Sequence, residues 1–593
     1  MKPLNPLTIP LTSRQLIEAS AGTGKTFTLA LLYVRLVLGD PGRAGLMPGQ
    51  ILVVTFTDAA TQELRERIRS RLTQAAEVFT EQAQKTDSTE ALFALRDQNY
   101  PDQEHWPTLR YRLLMAAELM DEAAISTIHA WCRRMLAEHA FDSGSLFQME
   151  LEKDLDPIRL SAVRDYWRIF VYPLTEQHAK TLANFIKDPE ALDSAIRGIL
   201  GSDIQSELTP EQVLNAAEVR RAPLRQKLIS TDWLSLAEQA SDKAFKLHHS
   251  TRKGLVSFFQ KAAEYPDPLI PGGLELSKAR NYLDRCPEGE HPVTQALNWL
   301  VEGLQPDPEI KSELIKHACG WVHQHLQAQC QEAGIMGFDG LLTGLDQALS
   351  SEALVKRIRQ QFPVALIDEF QDTDPVQYRI FDGLYPASEA GLGLIMIGDP
   401  KQAIYAFRGA DIFTYLQARQ DAGDQVFDMQ RNFRSSKAMV DAVNSVFSYR
   451  PDPFVLSAQS QQSLPFSPVD AHHQDAPWPD SALTLYYREG EESNKSDRLA
   501  MNARAMASRI AEYLVNSTRV GDSELQPSDV AVLVNNRDEA HAMRVALQGH
   551  KLKSVYLSER QPVYQSVIAK DIAFWLQAAL TPSDTDAVRT ALS

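Results

Sequence analysis

The sequence predicts an α/β protein built on parallel sheets, and three stretches predict it. "IEASAGTGKTFTLALL" (17–32) reads as a strand end, a glycine-rich turn and the start of an apolar helix. "FPVALIDEFQDTD" (362–374) is an apolar strand that ends in acids, the pattern of a strand buried on both faces. "LIMIGDPKQAIYAFRGADIFTYL" (394–416) is a further apolar strand followed by a polar and aromatic loop.

The first stretch forms a phosphate cradle. Ala19 takes the first position of the G-x-x-x-x-G-K-[ST] pattern, where a glycine is usual, and Ser20, Ala21, Gly22, Thr23 and Gly24 form the turn. Gly22 and Gly24 permit tight backbone geometry, so that N–H groups can point at phosphates. Lys25 is expected to reach the β- and γ-phosphates, and Thr26 to offer its hydroxyl to Mg²⁺. The helix from Thr26 to about Leu38 adds the positive end of its dipole.

The second stretch supplies the complementary chemistry. Asp368, at the carboxyl end of its strand, is placed to hold the Mg²⁺ shell. Glu369 is placed to orient or deprotonate the attacking water. An acidic helix cap would explain one acid pair, but not a phosphate loop ending another strand of the same chain. Hydrolysis of a nucleoside triphosphate is the expectation, with ATP and Mg²⁺ as cofactors.

Three further stretches narrow the class. "ILVVTFTDAATQELRERIRSRL" (51–72) is a strand, a Thr-Phe-Thr turn and a basic amphipathic helix. "AAISTIHAWCRRML" (123–136) puts Thr127 and His129 at a strand end, and "NFRSS" contains Phe433 and Arg434. Together "GTGKT", "TFTDAA", "TIHAWC", "IDEFQDTD", "GDPKQAIYAFRGAD" and "NFRSS" occur in the order of the UvrD/Rep-type superfamily 1 helicases, which the chain resembles over essentially its whole length. "FPVALIDEFQDTDPVQYRIF" and "IMIGDPKQAIYAFRGADIFTY" resemble more closely still the RecB family of helicase–nuclease subunits, within exodeoxyribonuclease V.

The resemblance implies a P-loop NTPase with RecA-like motor domains and an α-helical insertion. It gives Gln402 the sensing of the γ-phosphate, for which an amide can both donate and accept. It gives Arg434 the charge on the transferred phosphoryl, reached from the second motor domain. Phe433 would stack on adenine, or else be a plain core aromatic. Arg408 would tie the DNA-side loop to the ATP-side acids, or else be an exposed arginine. Phe56, Tyr405 and Phe407 match aromatics that stack on bases, which suits a motor indifferent to sequence; core packing is the other role for each. Thr55, Thr57, Thr127 and His129 would bond backbone phosphates. Arg65, Arg67, Arg69 and Arg71 do not share one helix face, and Glu63 and Glu66 can pair with them.

The expected organisation is a first motor domain over 1–140 and 331–424, a DNA-facing helical insertion over 141–330, and an incomplete second motor domain over 425–593. In that last part, "ALTLYYRE" and "DVAVLVNN" (529–536) read as strands, after a long irregular connection over 450–481. The resemblance predicts more chain than is present: a second helical insertion, the rest of the second motor domain and a nuclease. The sequence therefore looks like the N-terminal portion of a longer protein, without nuclease activity of its own.

Composition bounds the remaining choices. The 593 residues are too many for one core, and the 44% hydrophobic and 23% charged fractions are those of a globular protein. No apolar run is long enough to cross a bilayer and the N-terminus lacks a signal-peptide core, so a cytoplasmic location is expected. A net charge of −17 excludes a surface coated in basic residues but not a local basic groove for nucleic acid. The four cysteines, Cys132, Cys286, Cys319 and Cys330, suggest no disulfide framework. Their spacing from His317, His323 and His325 fits no closed tetrahedral metal site. The expectation is an ATP-dependent 3′–5′ DNA translocase, the motor of a helicase–nuclease in double-strand break repair and recombination. DNA, RecC and RecD are the partners that the resemblance implies. An AddA-type subunit, or a docking module without ATP turnover, are the alternatives.

Overall fold

The computed structural model describes residues 1–40, 43–139, 150–152, 154–201, 206–242, 245, 247–265, 267, 269, 274–286, 291–305, 307–333, 335–405, 410–454, 464, 466–473, 478, 480–487, 494–520, 523–557 and 566–592. In chain order the elements around the main sheet are β1 (Lys2–Pro3), β2 (Ser13–Ala19), α1 (Lys25–Leu38), β3 (Ile51–Thr55), α2 (Asp58–Val78), β4 (Ile125–Thr127), α3 (Ile128–Glu138), β5 (Val364–Ile367), β6 (Gly393–Gly398), α4 (Ile412–Ala422) and β7 (Val426–Met429). The seven strands lie in the order β1-β7-β2-β6-β5-β3-β4.

The pairs β1–β7, β2–β6, β6–β5, β5–β3 and β3–β4 are parallel. Their registers include Ser13 opposite Gly393, Val364 opposite Gly393 and Ile51 opposite Val364. A parallel sheet needs helices on its faces, and its strands are correspondingly buried along their length. β3, β5 and β6 are buried at every residue. Leu16, Leu52, Trp131, Phe362, Phe370, Phe381 and Tyr385 pack in one core beside them. Because all these strands run the same way, the segments after Ala19, Thr55, Thr127, Ile367 and Gly398 emerge at one edge of the sheet, the edge where α/β proteins bind ligands.

The stretch between β4 and β5 is largely helical, from Asp156–Tyr166 to Pro308–Ala333. It encloses two cores of its own. Tyr166, Leu182, Ile196, Leu214, Leu314 and Val322 form one, and Trp233, Leu255, Phe259, Leu297 and Leu300 the other. The helical insertion expected over 141–330 also carries a short strand: Glu150–Leu151 pairs in parallel with Ile335–Met336, closing the two ends of this stretch on each other. Among the described residues, no helix is long and apolar enough to cross a membrane, and no group of three or more His, Cys, Asp or Glu is arranged to hold a metal ion. His317 is bonded through Nδ1 to the Tyr166 hydroxyl at 2.9 Å, and His323 and His325 meet Gln327 and Gln329.

The chain divides into two compact units, Met1–Ala19 with Lys25–Asp428, and Ser20–Gly24 with Met429–Ser593. The second unit contains the helices Lys437–Phe447, Lys495–Val515, Arg537–Gly549, Val567–Leu580 and Thr585–Leu592. A small core of Ala503, Ala507, Ile510, Met543 and Leu547 holds two of them together. Its ladders among the described residues are two-residue pairs, Arg431–Asn432 with Asp470–Ala471 and Arg519–Val520 with Ser523–Glu524.

The strands expected at "ALTLYYRE" and "DVAVLVNN" are not formed in their described residues. A strand needs a neighbour to satisfy its backbone. Here the apolar side chains stay in solvent instead: Leu485 is 84%, Tyr487 87% and Leu533 96% exposed.

Candidate functional site

In the first unit the site begins where β2 passes into α1. Lys25 opens the helix, and its ammonium donates to Glu369 Oε2 at 2.7 Å. Glu369 follows the last residues of β5 in a left-handed conformation, φ 50°, which a glutamate adopts only when its surroundings hold it there. Its backbone N–H donates to Asp368 Oδ1 at 3.0 Å. The structure thus brings Lys25, Asp368 and Glu369 together from stretches of sequence far apart.

Burial, and then the Glu369 charge, push the Asp368 carboxyl up to about 6, against the opposing pull of Lys25. Burial and Glu369 push Asp372 up to about 6 as well. Three carboxyl groups therefore share one lysine, an arrangement that a divalent cation relieves. Asp368, with the half-buried Thr26 at the start of α1, fits Mg²⁺ on these grounds.

Two residues not singled out in the sequence complete this corner. Gln371, 2% exposed, donates through Nε2 to Glu369 Oε2 at 2.8 Å and accepts the Asp399 N–H through Oε1 at 2.9 Å. Asp399, also 2% exposed, accepts from Gln402 Nε2 at 2.7 Å and pairs with Lys401 at 2.9 Å. Both lie inside quoted motifs, "IDEFQDTD" and "GDPKQ". The available signal was a polar residue beside an apolar strand end, where an unsatisfied group would be costly.

The glycine turn belongs to the second unit. Gly22 and Gly24 have φ of 78° and 89°, the left-handed region that glycine tolerates. The Thr23 hydroxyl donates to the Ser20 carbonyl at 2.7 Å, while Ala19 at the strand end is buried. Phe433 N–H donates to Gly22 O at 2.7 Å and Asn432 Nδ2 to Ala21 O at 2.8 Å. A Cβ on Gly22 would stand 2.8 Å from Arg434 Cβ and from Asn432 Nδ2. Arg434 is exposed, and the Phe433 ring, 48% exposed, lies 4.8 Å from that of His472. Phe433 is therefore not a core aromatic.

The residues expected to meet nucleic acid lie at or just after the carboxyl ends of β3 and β4 and, for Tyr405, in the segment after β6. The Phe56 and Tyr405 rings are 4.9 Å apart and tilted by 30°, though their sequence positions are distant. His129 meets Phe338 edge to face at 5.3 Å. Thr55 is buried, with its hydroxyl 2.5 Å from that of Thr61. Thr57 caps α2 by accepting the Ala60 N–H at 3.1 Å, and Thr127 is the residue before α3. Phe407 and Arg408 lie outside the described residues. On α2, Arg67 pairs with Glu63, Arg69 with Glu66 and Asp121, and Arg65 donates to the Ile125 carbonyl. Arg71 is buried against the Phe27 ring. This helix is tied into its own surroundings and is not a row of uncommitted cations.

The profile of the UvrD/REP helicase N-terminal domain matches residues 4–423. The RecBCD enzyme subunit RecB of Escherichia coli (strain K12) is 35% identical over 627 residues, covering 100% of this chain and 52% of that protein. The subunit of the same name from Haemophilus influenzae is 33% identical, over 100% of this chain and 53% of that protein. That of Mycolicibacterium smegmatis is 28% identical, over 99% and 44%. The chain spans about half the length of the curated relatives it matches.

Proposed function

The chain belongs to the UvrD/REP helicase family, and on that premise we propose that it is an ATP-driven motor that moves 3′ to 5′ along one strand of DNA. The observation that carries this reading is the Lys25–Glu369 pair beside Asp368, at the sheet edge that also bears the Phe56–Tyr405 aromatic pair. On this reading Lys25 is the phosphate-binding lysine and Glu369 the hydrolytic carboxylate, and the Phe56 and Tyr405 rings, on the same side of the sheet, are the stacking surface.

In this proposal Ser20–Thr26 hold the phosphates through backbone N–H groups and Lys25. Thr26 and Asp368 would hold Mg²⁺, which would supply positive charge to offset that of the phosphates. Glu369 orients the attacking water and accepts its proton. Gln402 senses the γ-phosphate, Arg434 meets the charge on the transferred phosphoryl, and Phe433 stacks on adenine. Phe56, Tyr405 and Phe407 grip bases, while Thr55, Thr57, Thr127 and His129 meet the backbone, and Arg408 couples the two sides. The burial of Thr55 favours the other three polar groups for that contact.

The relatives are named as subunits of the RecBCD enzyme. By that likeness we propose a cytoplasmic protein that assembles with RecC- and RecD-type subunits and acts in double-strand break repair and recombination.

The test is ATP hydrolysis with and without single-stranded DNA, beside Lys25→Ala. DNA-stimulated turnover that disappears in the variant is the expected result. Turnover that survives Lys25→Ala, or its absence in the parent chain, would overturn the proposal.

A further inference from the structure

We propose that Gln371 is a positioning residue for Glu369, and the link through which the state of that carboxylate reaches the Asp399–Gln402 turn. This deepens the ATPase reading above and rests on it.

The side chain uses both ends of its amide on the ends of two strands. Nε2 donates to Glu369 Oε2 at 2.8 Å and, less closely, to Asp372 Oδ2 at 3.4 Å; Oε1 accepts the Asp399 N–H at 2.9 Å. A carboxylate only accepts and a backbone N–H only donates, so the amide has one orientation and a flip would break both bonds. The space around it is shaped to match. A Cβ on Gly398 would stand 2.7 Å from Gln371 Oε1 and 3.1 Å from its backbone N. Beyond Asp399 the next bond is that from Gln402 Nε2 at 2.7 Å. A continuous chain of contacts therefore runs Lys25–Glu369–Gln371–Asp399–Gln402.

Glu369 Oε2 has two donors, Lys25 and Gln371. A bound triphosphate competes for Lys25, because phosphate oxygens are its expected partners. Gln371 is the donor that stays. It holds one carboxylate oxygen in place on a backbone that is already left-handed, and leaves Oε1 to take a proton from water. Any shift of Glu369 on losing Lys25 is passed by the rigid amide to Asp399 and so to Gln402. A buried amide with a merely structural role would behave differently, since its removal would lower nucleotide binding and turnover in step.

The experiment compares the 593-residue chain with Gln371→Met, which keeps length and loses both bonds, and Gln371→Glu, which keeps shape and loses the donor. Binding of a fluorescent ATP analogue and steady-state hydrolysis with single-stranded DNA are measured, with Lys25→Ala alongside. The expected result is analogue affinity and KM within about 3-fold of the parent and a kcat lower by about 10-fold or more in both variants, a part of what general-base catalysis supplies. A kcat within about 2-fold of the parent in Gln371→Met overturns the inference, as does loss of affinity in step with kcat. If turnover disappears in Lys25→Ala but stays within about 2-fold of the parent in Gln371→Met, the inference alone fails. Turnover that survives Lys25→Ala removes the ATPase reading, and the inference with it.

Discussion

The Lys25 ammonium lies 2.7 Å from Oε2 of Glu369, so the lysine expected to meet phosphate is already held by the carboxylate expected to activate water. Nucleotide binding has to exchange this partner for a phosphate oxygen. Glu369→Gln removes the competing charge. The expected outcome is an analogue affinity higher by a few-fold, consistent with about 1 kcal/mol or less for a partly exposed pair. Hydrolysis should fall by about 100-fold or more. A fluorescence titration and a turnover assay on the same preparation measure both, and weaker binding with turnover retained would count against both roles.

Gly22 permits the approach of Asn432 and Arg434 to the turn. In Gly22→Ala the new methyl would meet Arg434 Cβ and Asn432 Nδ2 at 2.8 Å, on a backbone with φ of 78°. A left-handed non-glycine residue costs about 1–3 kcal/mol, before the clash is counted. Analogue affinity is expected to fall by about 10-fold or more while the main sheet keeps its circular-dichroism signal. Unchanged affinity would show that the turn tolerates a side chain.

Phe56 and Tyr405 form one aromatic surface, their rings 4.9 Å apart. Phe56→Ala and Tyr405→Ala are each expected to weaken single-stranded DNA binding by about 1–3 kcal/mol. Because the rings touch, the double variant should lose less than the sum. The dependence of affinity on salt should not change, since no phosphate contact is removed. Fluorescence anisotropy at several salt concentrations measures this, and a changed slope would assign the rings to another role.

Asp368 carries a stability cost that depends on pH. Its carboxyl is raised from 3.8 to about 6 by burial and by Glu369. Between those values the folded chain binds more protons than the unfolded chain. This group therefore favours folding on the acid side of the window and opposes it as pH rises through about 6. Asp368→Asn should be more stable than the parent at pH 7.5, on the order of 1 kcal/mol, with the difference shrinking towards pH 4. Hydrolysis should be abolished, a trade of function against stability. Thermal melts across pH test the sign, and a variant that melts below the parent at pH 7.5 would contradict it.

Legibility in the sequence followed burial. "ILVVT", "VALI" and "GLIMIG" are continuous apolar runs because helices cover both faces of the main sheet, and each forms a strand at the expected place. "DVAVLVNN" has equal strand character on paper and forms no ladder, since a ladder also requires a neighbour that this stretch does not find. The same distinction applies to side chains. Lys25, Asp368 and Glu369 could be named from their types and neighbours, whereas for Gln371 and Asp399, inside quoted motifs, the neighbours signalled only a polar group beside an apolar strand end and not its partner.

By itself the sequence determined the phosphate turn, the acid-ended strand and the order of motifs, because each depends on residues adjacent in the chain. Only the tertiary structure decided that Lys25 meets Glu369, that Gln371 joins Glu369 to Asp399, and that Phe56 lies against Tyr405. Those contacts depend on strand order and register. Parallel strands placed side by side carry their following residues to one edge, so distant positions become neighbours there. No local pattern records which of them will touch.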